Sequence, residues 1–200
     1  MRRREWLSRV ELLSNQSYTT AGVSVIIPCY QAGSTVGRAL ASVAAQSVKP
    51  FEVIIVDDAS TDATRNRLQE LVEKYKPDWL KVYFLTENCG PASARNYGWE
   101  LATQPFVAFL DADDSWHRDK IALQLAFMRQ NSEISFCGHS CGEISSLIRK
   151  LPKKFQVTNC TLKELLFRNR LQTTSTVMLK RDLVVRFPKT SRYSEDYYLW

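Results

Sequence analysis

Short apolar runs alternate with helical patterns along most of the chain. Four runs rich in β-branched residues are typical of buried strands, and they lie at 23–27, 51–56, 81–85 and 106–110. Each is followed by a segment in which apolar residues recur three and four positions apart, as on one face of a helix. Near-continuous apolar strands that alternate with helices are typical of a parallel sheet covered on both faces. The pattern therefore predicts an α/β fold with right-handed crossovers.

Each predicted helix carries an apolar face. Its members are, helix by helix, Val36, Leu40, Val43 and Ala44; Leu68, Leu71, Val72 and Tyr75; Ala94, Gly98 and Leu101; Ile121, Leu125 and Met128. Ser34 can cap the first helix, and Pro91 suits the first turn of the third. After residue 130 the rhythm changes, and we expect strands at 134–138 and 173–179 with a short helix at 162–169. These irregular connections predict a mixed sheet toward the C-terminus.

The composition limits the class of protein. Of 200 residues, 44% are hydrophobic, which is enough for one well-buried core at 23–200, preceded by a loosely attached basic leader at 1–22. No apolar run reaches the roughly 18 residues of a membrane span, and no apolar segment of a secretory signal follows the basic N-terminus. We therefore expect a cytoplasmic protein. Five cysteines without paired spacing predict reduced thiols.

The charge of the chain is basic, with a net value of +6 and clusters of Lys and Arg at 2–9 and 148–154. A solvated basic surface is the ordinary explanation. The more specific explanation is that the basic residues attract phosphorylated ligands or anionic lipid on the inner face of the cytoplasmic membrane. Basic and aromatic residues do not interleave, so we expect no nucleic-acid partner. Cys137, His139 and Cys141 would share one face of a strand, but zinc needs a fourth ligand, and we interpret them as small buried residues.

Polar side chains follow each predicted strand. Ligands of open α/β sheets bind beyond the carboxyl ends of the strands. The residues found there are Pro28 and Tyr30 after the first strand, Asp57 and Asp58 after the second, Arg95 on the helix after the third, and Asp111 and Asp113 after the fourth. Carboxylates that meet at one edge repel one another, and a cation would relieve that repulsion.

Asp111 and Asp113 stand two residues apart. If the backbone stays extended there, both side chains point the same way. Two hard oxygen ligands with open positions left over suit Mg²⁺ or Mn²⁺, which also bind substrate phosphates. The alternative is a solvated turn whose aspartates cap a helix.

Three other candidates also have a structural alternative. Asp58 either caps the next helix or faces a ligand. Tyr30 is either a core ring or, beside a carboxylate that accepts a hydrogen bond from a ring N–H, a surface on which a base can stack. Asp196 either opens a helix or acts as a general base over the same edge.

Five ordered motifs carry a resemblance to a known family. They read VSVIIPCYQAGSTVGRALASVAAQS, EVIIVDDASTDAT, NCGPASARNYGWELA, FLDADDSWHRDKI and SEDYYLW. Together they resemble glycosyltransferase family 2, whose members have the GT-A fold. The resemblance implies a catalytic domain at 23–200, with a nucleotide-binding part at 23–115 and an acceptor-side part at 116–200.

The resemblance also implies roles for residues on the nucleotide side. Tyr30 would lie against the base, and Pro28 would shape the pocket. Asp58 would accept a hydrogen bond from the base. Arg95 would sit near the nucleotide and diphosphate, and Asp111 would face the ribose and metal region.

The implied reaction moves a sugar from a nucleoside diphosphate sugar, with UDP the expected nucleotide, to a saccharide or lipid-linked acceptor, with inversion at the anomeric carbon. Asp113 would bind the divalent ion, Mg²⁺ or Mn²⁺, that bridges the diphosphate. Asp196 would take the proton from the acceptor hydroxyl. The cation stabilises the charge that develops on the leaving group. The expected process is polysaccharide or glycolipid biosynthesis.

The chain departs from the family pattern in three places. Gln31 stands where asparagine is common, and Arg118 stands where proline is common. The chain also stops four residues past Asp196, where family members continue. We therefore expect a fragment of a longer enzyme, a protein whose acceptor site is supplied elsewhere, or an inactive product.

Two alternative functions follow from these residues. One is a nucleotide-sugar-binding fragment without transferase activity. The other is nucleotidyl transfer, which typically requires a Gly-rich phosphate loop near the first strand, and PCYQAGSTVG is a poor version of one.

Overall fold

The computed structural model describes residues 21–142, 158 and 173–188 of the chain. In that part, six strands form one sheet with the order β3-β2-β1-β4-β6-β5. The strands are β1 (Ala21–Cys29), β2 (Pro50–Asp57), β3 (Leu80–Phe84), β4 (Phe106–Phe109), β5 (Phe136–Cys137) and β6 (Met178–Lys180). Strands β3, β2, β1 and β4 are parallel, whereas β6 is antiparallel to both of its neighbours. The predicted α/β fold, with a mixed sheet toward the C-terminus, is confirmed.

Helices follow the parallel strands, as the sequence pattern predicts. They are α1 (Val36–Ala44), α2 (Thr64–Lys74), α3 (Pro91–Leu101) and α4 (Lys120–Gln130), and a 3₁₀ helix (Thr174–Thr176) precedes β6. Pro91 occupies the first turn of α3. None of the helices in the described ranges is both long and apolar enough to span a bilayer.

The two faces of the sheet bury alternate residues of the same strands. Val25 and Ile27 of β1 pack with α1, α2 and α4, whereas Ile26 packs on the other face with Trp99 of α3. Successive side chains of a strand point to opposite faces, so a strand covered on both sides needs an apolar residue at nearly every position. This explains the continuous apolar runs.

Helix α3 lies close to β1 because it has a glycine where the two meet. A Cβ atom built on Gly98 would lie 2.6 Å from Cγ2 of Ile26, which is fully buried. Real side chains do not approach so closely, and the contact therefore depends on glycine. The close approach fixes the height of α3 over the sheet, and with it the position of Arg95 on the preceding turn.

A buried carboxylate ties four segments together in the sheet. Glu52 of β2 is fully buried and accepts hydrogen bonds from Ser24 Oγ at 2.7 Å, Lys81 Nζ at 2.7 Å, and Thr103 N and Oγ1 at 2.8 and 2.6 Å. Burial by itself opposes ionisation, but the donors outweigh it, and the pKa of Glu52 lies below its ordinary value. The charged form is therefore part of the fold.

Several local predictions are wrong. Residues 173–179 do not form one strand, because Thr173 accepts the Ser175 N–H on its side chain and the Thr176 hydroxyl bonds back to the Thr173 carbonyl. Such local side-chain bonds compete with strand pairing. Ser34 does not cap α1; the N-cap is Thr35, whose hydroxyl donates to Ala32 O at 3.4 Å.

Strand boundaries also differ from the expectation. Strand β1 begins at Ala21, two residues before the predicted strand. Strand β5 has two residues and ends at Cys137, so the extended run that would put Cys137, His139 and Cys141 on one face is not formed. The predicted helix at 162–169 and residues 1–20 lie outside the described residues.

Candidate functional site

Strands β1, β2 and β4 end side by side at one edge of the sheet. The N–H of Asp58 donates to the Cys29 carbonyl at 2.8 Å, so the first residue beyond β2 is bonded to the last residue of β1. Pro28 is buried within β1, and Tyr30, just beyond it, is 50% exposed. The structure therefore puts the predicted aromatic ring at the surface of this edge, where it is available to a ligand, and Pro28 in the buried end of β1.

The loops after β1 and β2 are bonded to each other beside Tyr30. Gln31 donates its N–H to Ser60 Oγ at 2.9 Å and its side-chain amide to Thr61 Oγ1 at 2.8 Å. Gln31 and Ala59 both have left-handed backbone angles, with φ of 51° and 57°. Such angles are costly for residues with a Cβ, and they are held here by the surrounding hydrogen bonds.

Asp58 fixes the loop that leads into α3. Its side chain is 2% exposed, and its two carboxylate oxygens accept the N–H groups of Cys89 and Gly90 at 2.9 and 2.8 Å. Burial raises the pKa of Asp58; the two backbone donors lower it, and the nearby Asp57 raises it further. Asp58 lies at the predicted edge, but both of its oxygens already bind the backbone ahead of α3.

Arg95 and Asp111 are brought into direct contact. Arg95 lies on α3 with 7% of its side chain exposed, and its Nη2 donates to Asp111 Oδ1 at 2.8 Å. The guanidinium also lies over the ring of Phe187, 5.4 Å from its centroid. The side chain of Asn96, the next residue, donates from Nδ2 to the Phe187 carbonyl at 2.8 Å and accepts the Phe187 N–H on Oδ1 at 3.0 Å. The positively charged guanidinium of Arg95 is thus buried beside Asp111, the first carboxylate of the predicted metal site.

The chain turns sharply after Asp111, so the expectation of an extended backbone there is wrong. The N–H of Asp114 donates to the Asp111 carbonyl at 3.0 Å and closes the turn. The N–H of Asp111 donates to Ser175 Oγ at 3.0 Å, and Arg38 donates to the Asp113 carbonyl at 2.5 Å. These bonds to distant parts of the chain favour a turn over continuation of β4. We call residues 111–114 the acidic turn.

The carboxylates of the acidic turn affect one another electrostatically. Burial raises the pKa of Asp114, a hydrogen bond from Ser175 lowers it, the charges of Asp111 and Asp113 raise it, and the charge of Arg38 lowers it. Asp113 is exposed, Asp111 is 26% exposed, and Asp114 is half-buried. The predicted pair is therefore a group of three acids with graded exposure.

The acidic turn suits a divalent cation that takes further ligands from outside the protein. Carboxylate oxygens are the donors that Mg²⁺ and Mn²⁺ prefer. Arg95 occupies one oxygen of Asp111, which leaves the other oxygen and the exposed Asp113. In residues 21–142 and 173–188, no group of three or more acidic, His or Cys side chains is arranged to hold a metal ion by itself. The donor set fits an ion that keeps waters and binds phosphate.

Three contributors to the site were not predicted from the sequence as site residues. Asp114 is the third acid of the DADD segment at 111–114, but the sequence pattern assigns it no function. Arg38 and Ser175 reach the acidic turn from 75 and 64 residues away, and no local pattern marks either of them. Asp196 lies outside the described residues, so its role remains a prediction.

A protein-family model described as Glycosyl transferase family 2 matches residues 24–187. The amylovoran biosynthesis glycosyltransferase AmsB of Erwinia amylovora is 35% identical over 186 residues, which cover 87% of this chain and 61% of that protein. WfgD of Escherichia coli, a UDP-Glc:alpha-D-GlcNAc-diphosphoundecaprenol beta-1,3-glucosyltransferase, is 32% identical over 180 residues, covering 89% and 68%. The putative teichuronic acid biosynthesis glycosyltransferase TuaG of Bacillus subtilis is 47% identical over 119 residues, covering 59% and 46%. The chain thus spans about half to two thirds of the length of these relatives.

Solved structures show the same fold. Residues 1–349 of S. aureus TarS match with a TM-score of 0.70 and 27% identity, over 88% of this chain and 53% of that one. The same protein has been solved in complex with UDP, with a TM-score of 0.68 and 26% identity over the same shares. Its complex with UDP-GlcNAc matches with a TM-score of 0.62 and 27% identity over 83% of this chain and 48% of that one.

Proposed function

The chain belongs to glycosyl transferase family 2, and we propose that it moves a sugar from a nucleoside diphosphate sugar to an acceptor hydroxyl. One observation carries the proposal: Tyr30, Asp58 and the Arg95–Asp111 pair all lie at one edge of the sheet, next to the acidic turn. The aromatic ring of Tyr30 suits stacking on a nucleotide base. The Arg95 guanidinium, next to the carboxylate oxygens of the acidic turn, suits a diphosphate with its bound metal ion.

UDP is the nucleotide we propose. The S. aureus relative was solved with UDP and with UDP-GlcNAc, and it is 26–27% identical to this chain over the matched region. Tyr30 would stack on the uracil ring, and Pro28 would shape the pocket. Each oxygen of Asp58 has a second lone pair besides the one that accepts a backbone N–H, so it can also accept the N–H of the base. Asp58 would then both shape the pocket and recognise the base.

Asp111 and Asp113 are the residues we propose to hold the divalent cation, Mg²⁺ or Mn²⁺. The bound ion would offset the negative charge that develops on the departing nucleoside diphosphate. Arg95 adds a fixed positive charge to the same place and restricts Asp111 to one orientation. Because Arg95 is buried, its charge is screened little by water, and it would act on the diphosphate at short range.

Asp196 is the catalytic base in this proposal. It would deprotonate the acceptor hydroxyl on the face of the sugar opposite to the leaving group, which gives inversion. We propose a hexosyl donor and a saccharide or lipid-linked acceptor in polysaccharide or glycolipid biosynthesis. The names of the Erwinia and Escherichia relatives support this. A cytoplasmic location with peripheral membrane contact is proposed from the basic runs at 2–9 and 148–154.

Calorimetric titration with UDP tests the proposal. We expect Mn²⁺ or Mg²⁺ to raise UDP affinity at least about tenfold over EDTA, because the ion bridges the acidic turn and the diphosphate. Asp113→Asn should abolish that gain. Asp119→Asn, which removes the same charge six residues along, should keep it. Equal affinity with and without EDTA contradicts the metal assignment.

A thermal-shift panel of nucleotides and nucleotide sugars would then identify the donor, since a ligand that binds the folded state raises its stability. UDP-sugars should raise the melting temperature more than GDP- or CMP-sugars. If no nucleotide in the panel stabilises the protein, the proposed function is wrong. Stabilisation by a UDP-sugar with no turnover in the presence of acceptors would favour a binding role instead.

A further inference from the structure

Ser175 lies where the acidic turn meets the antiparallel part of the sheet. It is the middle residue of the 3₁₀ helix Thr174–Thr176, and it is 5% exposed. This helix leads into β6, which pairs antiparallel with β4, the strand that ends just before Asp111. The two segments are therefore neighbours, although 64 residues separate Asp111 from Ser175.

Ser175 contacts the acidic turn and Trp116, which lies two residues beyond it. Its Oγ accepts the Asp111 N–H at 3.0 Å, and the same hydroxyl lies near enough to the Asp114 carboxylate to lower the pKa of that group. Its carbonyl accepts the indole N–H of Trp116 at 2.8 Å. A hydroxyl has one proton and two lone pairs, so it can accept from Asp111 and donate to Asp114 together. A single residue thus bonds to the first member of the acidic turn and to the indole of Trp116, and its hydroxyl lies near the last member, Asp114.

The 3₁₀ helix that carries Ser175 is itself held by hydrogen bonds within residues 173–176 and by one from α4. The Thr173 hydroxyl accepts the Ser175 N–H at 3.3 Å, and the Thr176 hydroxyl donates to the Thr173 carbonyl at 2.8 Å. Gln124 of α4 donates to the Thr176 carbonyl at 2.9 Å. Because these bonds fix its backbone, Ser175 offers a rigid support against which the acidic turn can be placed.

We propose that Ser175 is a positioning residue for the divalent cation, since its hydroxyl fixes the backbone at Asp111, where the acidic turn begins. This inference depends on the metal-assisted transfer of the proposed function. Small divalent ions require short ligand distances and nearly ideal angles, so a small shift of a ligand weakens binding. Groups that orient metal ligands matter nearly as much as the ligands. The nucleotide contacts expected of Tyr30 and Asp58 do not involve Ser175.

The test is calorimetry with UDP at a series of Mn²⁺ concentrations and in EDTA. Ser175→Ala should raise the Mn²⁺ concentration for half-maximal enhancement about tenfold or more. It should leave UDP affinity in EDTA unchanged within about a factor of two, because those contacts lie elsewhere. Ser175→Thr retains the hydroxyl and should recover most of the Mn²⁺ response.

Ser42→Ala is the matched control. The Ser42 hydroxyl accepts the Trp116 N–H at 3.0 Å and donates to the Ala39 carbonyl at 2.7 Å, so it supports the same loop through backbone groups. The Mn²⁺ response of this variant should match that of the wild type. An equal shift in Ser42→Ala and Ser175→Ala would mean general loosening of the loop and would overturn the proposal.

The remaining outcomes separate the Ser175 proposal from the proposed function. A folded Ser175→Ala variant with an unchanged Mn²⁺ curve, next to a wild type that responds to Mn²⁺, overturns the role of Ser175 alone. A wild type that binds UDP equally in Mn²⁺ and EDTA overturns both. If Ser175→Ala does not fold, Trp116→Phe replaces it, since it removes the indole donor to the Ser175 carbonyl; an unchanged curve there also overturns the role.

Discussion

Replacing Asp58 by asparagine tests how the edge of the sheet is built. In the folded chain, one oxygen of Asp58 accepts the Cys89 N–H and the other accepts the Gly90 N–H. Asparagine has one oxygen and one NH₂ group, so whichever way it is placed, an N–H faces an N–H. The loop that begins α3 then loses one of its two anchors.

The expected cost follows from these contacts. One charge-assisted hydrogen bond is lost, worth about 1.5–3 kcal/mol, and a part-buried backbone donor remains without its acceptor, at up to about 1 kcal/mol. Part of this free-energy cost is offset, because the substitution removes a buried charge next to Asp57. Burial raises the pKa of Asp58, and the Asp57 charge raises it further. We expect a net loss of about 1.5–3 kcal/mol in the free energy of unfolding. For a chain of this size, that lowers the melting temperature by roughly 3–12 °C.

Urea unfolding without any ligand measures the stability, and UDP calorimetry measures the site. Asp58→Asn should lose stability in the first assay and affinity in the second. Asp78→Asn removes the same charge from an exposed position and should change neither. If Asp58→Asn kept wild-type stability and lost only UDP affinity, Asp58 would act solely on the ligand, and the reasoning about the loop would be refuted.

Two further predictions concern the sheet beneath the site. Glu52→Gln should cost about 1.5–3 kcal/mol in urea unfolding, since the buried carboxylate loses the charge that its hydrogen-bond donors stabilise, and Lys81, whose side chain is 36% exposed, loses its ionic partner. The pKa of Glu52 is depressed in the folded state, so its stabilising contribution is present above the ordinary value of 4.5 and is lost as pH falls through the folded pKa. The variant lacks this carboxylate and should therefore lose less stability than the wild type below pH 4.5. An identical dependence of stability on acid pH in the two proteins would contradict this. Gly98→Ala should lower the melting temperature, because its Cβ would be forced against Ile26 at a cost of about 1–3 kcal/mol. Gly37→Ala is the control and should not lower it, because its Cβ would meet only the flexible end of the Arg67 side chain. Equal melting temperatures for the two variants would refute the close approach of α3 to β1.

The order of strands and helices was predictable because it depends on local pattern. Val25, Ile26 and Ile27 are all apolar since β1 is covered on both faces, and this appears in any window of the sequence. Pro91 at the start of α3 is equally local. The ends of elements were less predictable: the 3₁₀ helix at Thr174–Thr176 depends on individual side-chain hydrogen bonds that outweigh a β-branched composition.

The approximate place of the site was also predictable. Asp58 and Asp111 each follow a parallel strand, and the carboxyl ends of parallel strands meet at one edge. The shape of the site was not. The acidic turn replaced the expected extended pair because Arg38 and Ser175, distant in sequence, bind its backbone.

The sequence by itself determined the α/β alternation, the edge of the sheet at which the polar residues gather, and the family to which they belong. Only the tertiary structure decided that Asp58 binds the backbone ahead of α3 and that Arg95 pairs with Asp111. It also decided that Ser175 supports the acidic turn. The physical reason is the range of the interactions. Hydrophobic periodicity sums many small local preferences, whereas each of these hydrogen bonds joins segments that become neighbours only after the sheet has assembled.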